Sequence, residues 1–168
     1  MQPEHSVAMV GFLDGDRGLT VGCQGVVRYT ADGGTTWPRA KSRGECLWGM
    51  DIVDEQAAWS VGNAGHVGFS IDGWQTWQVV KISSYSLQFV SFVDAWTGWV
   101  VSGGTKRLWS TTDGGQTWQV AGTGLPTLVD VNDITVVSTT TVLAETTLYA
   151  GTARGVYKSI DGSTTWIE

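Results

Sequence analysis

The nine residues STTDGGQTW, at Ser110–Trp118, decide the fold because the same pattern occurs four times in the chain. Every copy has a Ser or Thr two residues before an Asp, a Gly soon after that Asp, and a closing Thr-Trp pair. The other copies are YTADGGTTW at Tyr29–Trp37, FSIDGWQTW at Phe69–Trp77 and KSIDGSTTW at Lys158–Trp166. Their aspartates are Asp32, Asp72, Asp113 and Asp161, so successive copies lie 40, 41 and 48 residues apart. That spacing is typical of one four-stranded propeller blade.

Apolar segments recur in register with the motif and predict four strands, A to D, in each repeat. Strand A is predicted at Val7–Leu13, Leu47–Val53, Leu87–Val93 and Val129–Val137. Strand B is predicted at Gly18–Gly22, Ala58–Gly62, Gly98–Ser102 and Leu148–Gly151. Strand C enters the motif, and strand D begins at its Thr-Trp pair. We therefore expect an all-β chain, a β-propeller of four four-stranded antiparallel blades. It forms one domain over residues 1–168, with blades at about 4–43, 44–83, 84–124 and 125–168.

Composition narrows the classes of function. The net charge of −6 argues against nucleic-acid binding through a global basic field, and we expect no nucleic-acid partner. No run of 18 apolar residues and no signal peptide is present, so we expect no membrane insertion and a cytoplasmic location by default, or an exported one if a signal was removed. Cys23 and Cys46 are too few for a zinc site and are interpreted as two free thiols in preference to a bridge. We expect no metal and no cofactor.

The repeated motif has a structural interpretation. A carboxylate in the turn between strands C and D can accept hydrogen bonds from the N–H groups of its own turn. The following Gly permits positive φ, and the closing Trp folds back over the hairpin. The alternative role, as catalytic acids or metal ligands, requires carboxylates close together, whereas copies one blade apart lie around a ring perimeter. We therefore assign structural roles to the four aspartates and to the closing residues Trp37, Trp77, Trp118 and Trp166.

The signature S/T-x-D-x-G-x-T-W resembles the Asp box, or bacterial neuraminidase repeat. The longer segment Phe92–Ala121, FVDAWTGWVVSGGTKRLWSTTDGGQTWQVA, is most similar to the repeat of photosystem II stability/assembly-factor-like proteins. That resemblance implies a β-propeller that binds other proteins and is not an enzyme. Those relatives have about seven blades, whereas four repeats are present here. Similar motifs occur in sialidases, in xyloglucan-degrading glycosidases and in sortilin-type receptors, but the Arg-Ile-Pro motif expected of a sialidase does not occur in this sequence.

Charge is distributed unevenly between the two faces of the predicted propeller. The B–C loops and D–A links share one face, here called the loop face, and the A–B and C–D turns share the other, the box face. Seven of the ten Lys and Arg residues fall on or beside the loop face: Arg39, Lys41, Arg43, Lys81, Lys106, Arg107 and Arg154. We expect Lys41, Arg43, Lys106, Arg107 and Arg154 to contact an acidic segment of a partner protein. The alternative is solvated loop charge with no target.

Two further sets of residues support a carbohydrate-related alternative. Trp74 replaces the second Gly of its motif and Trp96 lies in an A–B turn, so an exposed indole there could stack on a glycan or a protein. Asp51 and Asp130 are predicted on inner strands facing the channel, where a glycosidase would need its carboxylates. A glycan-binding protein or a xyloglucanase-like glycosidase is therefore the second hypothesis.

Closure of a four-blade arc has three solutions. The chain closes alone, or two chains form an eight-bladed ring as a homodimer, or the chain is part of a larger propeller. Complete repeats and an initiating Met favour the first two, and the wide rings of the relatives favour the homodimer.

Overall fold

The computed structural model describes residues 6–103, 107–121, 125, 131–137 and 146–168. These residues form four antiparallel sheets, two of three strands and two of four. The first sheet contains β1 (Val7–Phe12), β2 (Gly18–Gly22) and β3 (Val27–Thr30). The second contains β4 (Leu47–Ile52), β5 (Ala58–Gly62), β6 (His66–Ser70) and β7 (Gln78–Lys81). The third contains β8 (Leu87–Phe92), β9 (Gly98–Ser102), β10 (Leu108–Thr111) and β11 (Gln119–Ala121). The fourth contains β12 (Val131–Val137), β13 (Thr147–Thr152) and β14 (Gly155–Ser159).

The strand order confirms an all-β chain of antiparallel sheets, but four strands in every sheet is wrong. The predicted strand D is present in the second and third sheets. In the first and fourth it is reduced to single bridges, Arg28 to Arg39 and Lys158 to Ile167. In the first sheet Pro38 follows the motif, and a proline has no N–H to donate to a ladder.

The sheets pack face to face in chain order, β1 against β4, β4 against β8 and β8 against β12. We call the side of a sheet that meets the next sheet its front side, and the opposite side its rear side. Successive side chains of a strand point to opposite faces. In the second and third sheets strand B is covered on both faces, because a neighbouring sheet packs on each. All five residues of β5 and of β9 are buried, and Trp59 and Trp99 are completely so. The core therefore consists of layers between sheets.

The turns divide into two groups joined by backbone hydrogen bonds. In all four repeats, the N–H of the Gly after the motif Asp donates to a carbonyl of the A–B segment: Gly33 to Asp16, Gly73 to Gln56, Gly114 to Trp96 and Gly162 to Thr146. At the other end, B–C loops bond to D–A links, as in Gly25 N–H to Glu45 at 3.2 Å and Ile82 N–H to Gly65 at 2.9 Å. The chain therefore places A–B and C–D turns together, and B–C loops and D–A links together.

Cys23 and Cys46 form a disulfide, so the expectation of two free thiols is wrong. Cys23 follows β2 and Cys46 precedes β4, in a B–C loop and a D–A link respectively. Packing of the first sheet on the second brings their Cα atoms to 3.8 Å. The bridge thus joins two sheets at the loop-face end of the molecule.

Candidate functional site

The four motif aspartates make the same hydrogen bonds in every repeat. In the first, Thr36 Oγ1 donates to Asp32 Oδ2 at 2.6 Å, Thr36 N–H donates to Oδ1 at 2.9 Å, and Thr30 Oγ1 donates to Oδ1 at 2.7 Å. The same three donors are found around Asp72, Asp113 and Asp161. The next Gly has φ of 66° to 74° in the four copies, in the left-handed region that glycine adopts readily. Each carboxylate is therefore engaged by its own turn.

These hydrogen bonds stabilise the charged carboxylates. The Thr36 hydroxyl and N–H lower the pKa of Asp32 to about 2, and donors from Thr165 likewise lower the pKa of Asp161. Partial burial acts to raise the pKa of Asp72 and of Asp113, but hydrogen bonds from Thr76 and Thr117 outweigh it and the net pKa is lowered. A carboxylate with a lowered pKa is a poor general acid, which favours a structural role.

The lowered pKa of Asp32 predicts a specific acid dependence of stability. Because the folded pKa of Asp32, about 2, lies below the ordinary aspartate pKa of 3.8, Asp32 stabilises the fold above about pH 4 and loses that contribution as pH falls towards 2. Urea unfolding of the wild type and of Asp32→Asn should give free energies that differ at neutral pH and converge as pH falls. A difference that stays constant across this range would contradict the prediction.

The tryptophans of the motifs pack onto their own turns. The indole N–H donates to the carbonyl three residues earlier in the first three copies, Trp37 to Gly34, Trp77 to Trp74 and Trp118 to Gly115. Trp74 itself is only 2% exposed and packs in the core between the first and second sheets, so the hypothesis that it contacts a ligand is wrong. The ring of Trp74 fills a space between the two sheets, so its burial could not be predicted from the residues next to it in the sequence. Trp96, in contrast, is 59% exposed.

Two surface grooves on the loop-face side are lined by cations. The larger, of about 650 Å³, is lined by Lys81 and Arg107 together with Ser83, Tyr85 and Trp109. The second, of about 530 Å³, is lined by residues 39–43 and Trp77, which bring Arg39, Lys41 and Arg43 together. Among the described residues, no Asp or Glu side chain lines either groove. The structure thus brings together three cations in one groove and two in the other.

Of the two remaining predicted contact residues, Arg154 lines neither groove. Arg154 is exposed in the turn between β13 and β14, where its N–H donates to Thr152 Oγ1 at 3.1 Å. Lys106 lies outside the described residues. Sequence reasoning missed Tyr85 and Trp109, which line the larger groove. Tyr85 lies in a D–A link, so its position in the repeat could have indicated it, whereas Trp109 becomes part of the wall only through packing between sheets.

Ion pairing differs between the two ends of the sheets. Arg17, in the first A–B turn, is paired with Asp14 and with Glu55. Within the described ranges, none of Arg39, Lys41, Arg43, Lys81 and Arg107 is in a salt bridge. Glu45, the acid nearest these loops in sequence, lies 3.3 Å from His66 Nδ1. The cation of the A–B turns is therefore neutralised, whereas those of the grooves keep an uncompensated charge.

The predicted catalytic pair consists of Asp51 and Asp130. Asp51 is partly buried and accepts the N–H of Phe92 at 2.6 Å, a hydrogen bond between the second and third sheets. Burial raises the pKa of Asp51, and the hydrogen bond from Phe92 opposes that rise. Asp130, its predicted partner, lies outside the described residues, so the carboxylate pair stays a prediction.

In the described part of the chain, no group of three His, Cys, Asp or Glu residues could hold a metal ion. None of its helices is long and apolar enough to cross a membrane.

Comparison with known proteins supports the fold. No family model and no curated protein matches the chain. The structure of YCF48 bound to D1 peptide is 18% identical with a TM-score of 0.66, over 96% of this chain and 52% of that one. An ancestral GH74 enzyme is 16% identical with a TM-score of 0.72, over 95% of this chain and 23% of that one. The WD40 β-propeller domain of Doa1 is 14% identical with a TM-score of 0.70, over 98% of this chain and 54% of that one.

These identities support a conclusion about the fold alone. The chain has a β-propeller fold similar to that of YCF48, which confirms at this level the resemblance to assembly-factor-like repeat proteins. It spans about half the length of the YCF48 chain and a quarter of the GH74 enzyme.

Proposed function

We propose that this protein is a non-catalytic propeller scaffold that binds an acidic segment of a partner protein through its basic loop face. The observation that carries the proposal is the set of five exposed cations in two grooves, none of them in a salt bridge with a described residue. A cluster of one sign attracts a chain of the opposite sign and raises its association rate. This surface is positively charged, whereas the protein as a whole has a net charge of −6.

The larger groove also contains an exposed aromatic side chain. Tyr85 is exposed beside Lys81 and Arg107, and the N–H of Tyr85 donates to Ser83 Oγ at 3.0 Å, which restrains the link that carries the ring. A tyrosine combines a large apolar surface with a hydroxyl and loses little side-chain entropy on binding. An extended peptide with acidic residues next to an apolar side chain would therefore match this groove.

Comparison with other propellers supports the same class of function. YCF48 is described in complex with D1 peptide, and the Doa1 domain is a WD40 propeller. Both are similar to this chain in fold only. In our proposal the four sheets act as four blades of one propeller domain, with the Asp-box turns holding each blade in register. The loops at the opposite end then carry the contacts.

Binding of an acidic peptide tests the proposal directly. We expect a fluorescein-labelled peptide rich in Asp and Glu to bind by fluorescence polarisation, and to bind less tightly as salt is raised, because exposed charges are screened. The double variant Arg43→Ala/Arg107→Ala, which removes one cation from each groove, should weaken binding about tenfold, or about 1.4 kcal/mol.

Two controls separate this site from general charge attraction. The variant Arg17→Ala removes one cation at the box-face end and should leave peptide affinity unchanged, because Arg17 is already paired with two acids. A peptide with Asn and Gln in place of the acids should bind poorly. Equal affinity for both peptides, or an equal loss in the Arg17 variant, would refute the loop-face site.

A glycan-binding function is the second candidate, favoured by one pocket. This pocket, of about 310 Å³, lies between the second and third sheets and is lined by exposed Trp96 with Ile71, Gln56, Gln78 and Gln116. An aromatic ring beside several amides could stack on and hydrogen-bond to a sugar. Glycan binding that survives Arg43→Ala/Arg107→Ala but is lost in Trp96→Ala would favour this candidate over the scaffold.

A further inference from the structure

The interface between the second and third sheets shows how one sheet covers the next. Phe92, on the rear side of the third sheet, stacks on Trp59 of the second sheet with ring centroids 3.7 Å apart and planes 11° apart. The edge of Phe92 meets Trp118 of its own sheet at 6.0 Å. Phe92 is consequently only 8% exposed.

The first sheet has the same arrangement with one partner missing. Phe12 occupies the position of Phe92, since both are the last residue of strand A and pair with the first Gly of strand B. It makes the same edge contact, with Trp37 at 5.9 Å. It nevertheless remains 49% exposed, because none of the sheets among the described residues stacks a ring on it. Val7 and Val10, at the positions of Leu87 and Val90, are exposed as well.

In the fourth sheet it is the front side that is uncovered. Tyr149 occupies the strand B position of Trp59 and Trp99, as the ladder registers show. Val156, which pairs with Gly151, occupies the position of Val67, yet Val156 is 59% exposed where Val67 is completely buried. One end of the chain thus presents an uncovered rear side, and the other an uncovered front side.

We infer that the two ends cover each other between copies. The front side of the fourth sheet packs on the rear side of the first sheet of a second copy, and the reverse contact closes a ring of eight sheets. Apolar surface of this kind is rarely left in water. The chain already contains three front-to-rear interfaces between its own sheets. On the front side of the fourth sheet, Lys158 takes the position of Phe69, and its Nζ lies 5.8 Å from the centroid of the Tyr149 ring. The chain spans 52% and 54% of two propellers that it resembles in fold.

The register predicts which residues meet. Tyr149 of one copy lies against Phe12 of the second copy, as Trp59 lies against Phe92 within the chain. Val156 lies against Val10, because Val67 and Val90 share one core cluster at the equivalent internal interface. The ring is two-fold symmetric with two identical contacts, so every exposed end is used and growth stops at two chains. This inference stands apart from the loop-face function.

Light scattering after size exclusion tests the inference. We expect a mass of about twice the 18.0 kDa of one chain across micromolar concentrations. Val10→Lys and Val156→Glu should each give a single-chain mass, because each places an unpaired charge in both contacts. Both valines are exposed in the single chain, so their replacement should leave the fold intact, which circular dichroism checks. Val120→Lys, at an exposed valine of the third sheet remote from both ends, should remain a dimer.

A charge swap makes the assignment specific. An equimolar mixture of the Val10→Lys and Val156→Glu variants should recover the dimer mass, since one contact is then native and the other joins Lys to Glu. A mixture of Val10→Lys with Val156→Lys should not recover it. The inference is overturned by a single-chain mass for the wild type, by open assemblies larger than two chains, or by equal behaviour of the two mixtures.

Discussion

Replacing Trp59 with alanine is expected to lower the free energy of unfolding by about 3–5 kcal/mol. The indole is completely buried and stacks on Phe92 of the next sheet at a centroid distance of 3.7 Å. Its N–H also donates to the carbonyl of Gly114 at 2.9 Å, within the motif turn of that sheet. The substitution therefore removes apolar contacts and leaves a cavity and a buried carbonyl without its donor. Urea denaturation monitored by circular dichroism measures the loss.

Two variants apportion this effect. Trp59→Phe keeps an aromatic ring against Phe92 but removes the N–H, so it should cost clearly less than alanine, with about 1 kcal/mol assigned to the hydrogen bond. Trp96→Ala removes an exposed indole and should change stability by no more than about 0.5 kcal/mol. Comparable losses in Trp59→Ala and Trp96→Ala would contradict the stacked arrangement of the sheets.

Removing the disulfide is expected to cost about 3 kcal/mol. Cys23 and Cys46 are separated by 23 residues in sequence, and a cross-link across a loop of that length restricts the unfolded chain considerably. The double variant Cys23→Ser/Cys46→Ser should unfold at lower urea concentration than the oxidised wild type. The bridge joins the first sheet to the link before the second, so this variant should also loosen the loop-face end.

Reduction supplies the matched control for the disulfide. A reducing agent should lower the unfolding midpoint of the wild type towards that of the double variant and leave the variant unchanged. Mass spectrometry after alkylation without reduction should find no labelled cysteine in the wild type. Two labelled cysteines, together with insensitivity to the reducing agent, would show that the bridge does not form in solution.

Strand positions were predictable because they depend on neighbouring residues. The segments Gly18–Gly22, Ala58–Gly62 and Gly98–Ser102 were identified with their observed bounds from apolar runs that end at small residues. The fourth copy of strand B is longer than predicted, at Thr147–Thr152. Strand D was overpredicted in two sheets, since the sequence pattern alone did not show that it shortens to one bridge.

The candidate site was predicted less completely. Repeat register predicted Lys41, Arg43 and Arg107 in loops at one end, but it could not group them into grooves. Tyr85 and Trp109 complete the larger groove because packing brings the link after β7 near the loop before β10. Trp74 and Trp96 looked equivalent as sequence outliers, yet only Trp96 is exposed. Burial depends on the neighbouring sheet, which sequence spacing does not describe.

The sequence by itself determined the motif turns and the order of the strands. In each turn the Asp, its Ser or Thr and its closing Thr lie within six residues of one another, so their hydrogen bonds are local and recur wherever the motif recurs. Only the tertiary structure decided the Cys23–Cys46 bridge, the burial of Trp74 and the solvent exposure of the Phe12 ring. Each of these depends on contacts between sheets, whose residues are brought together by packing and are too far apart in the chain for a local pattern to relate them.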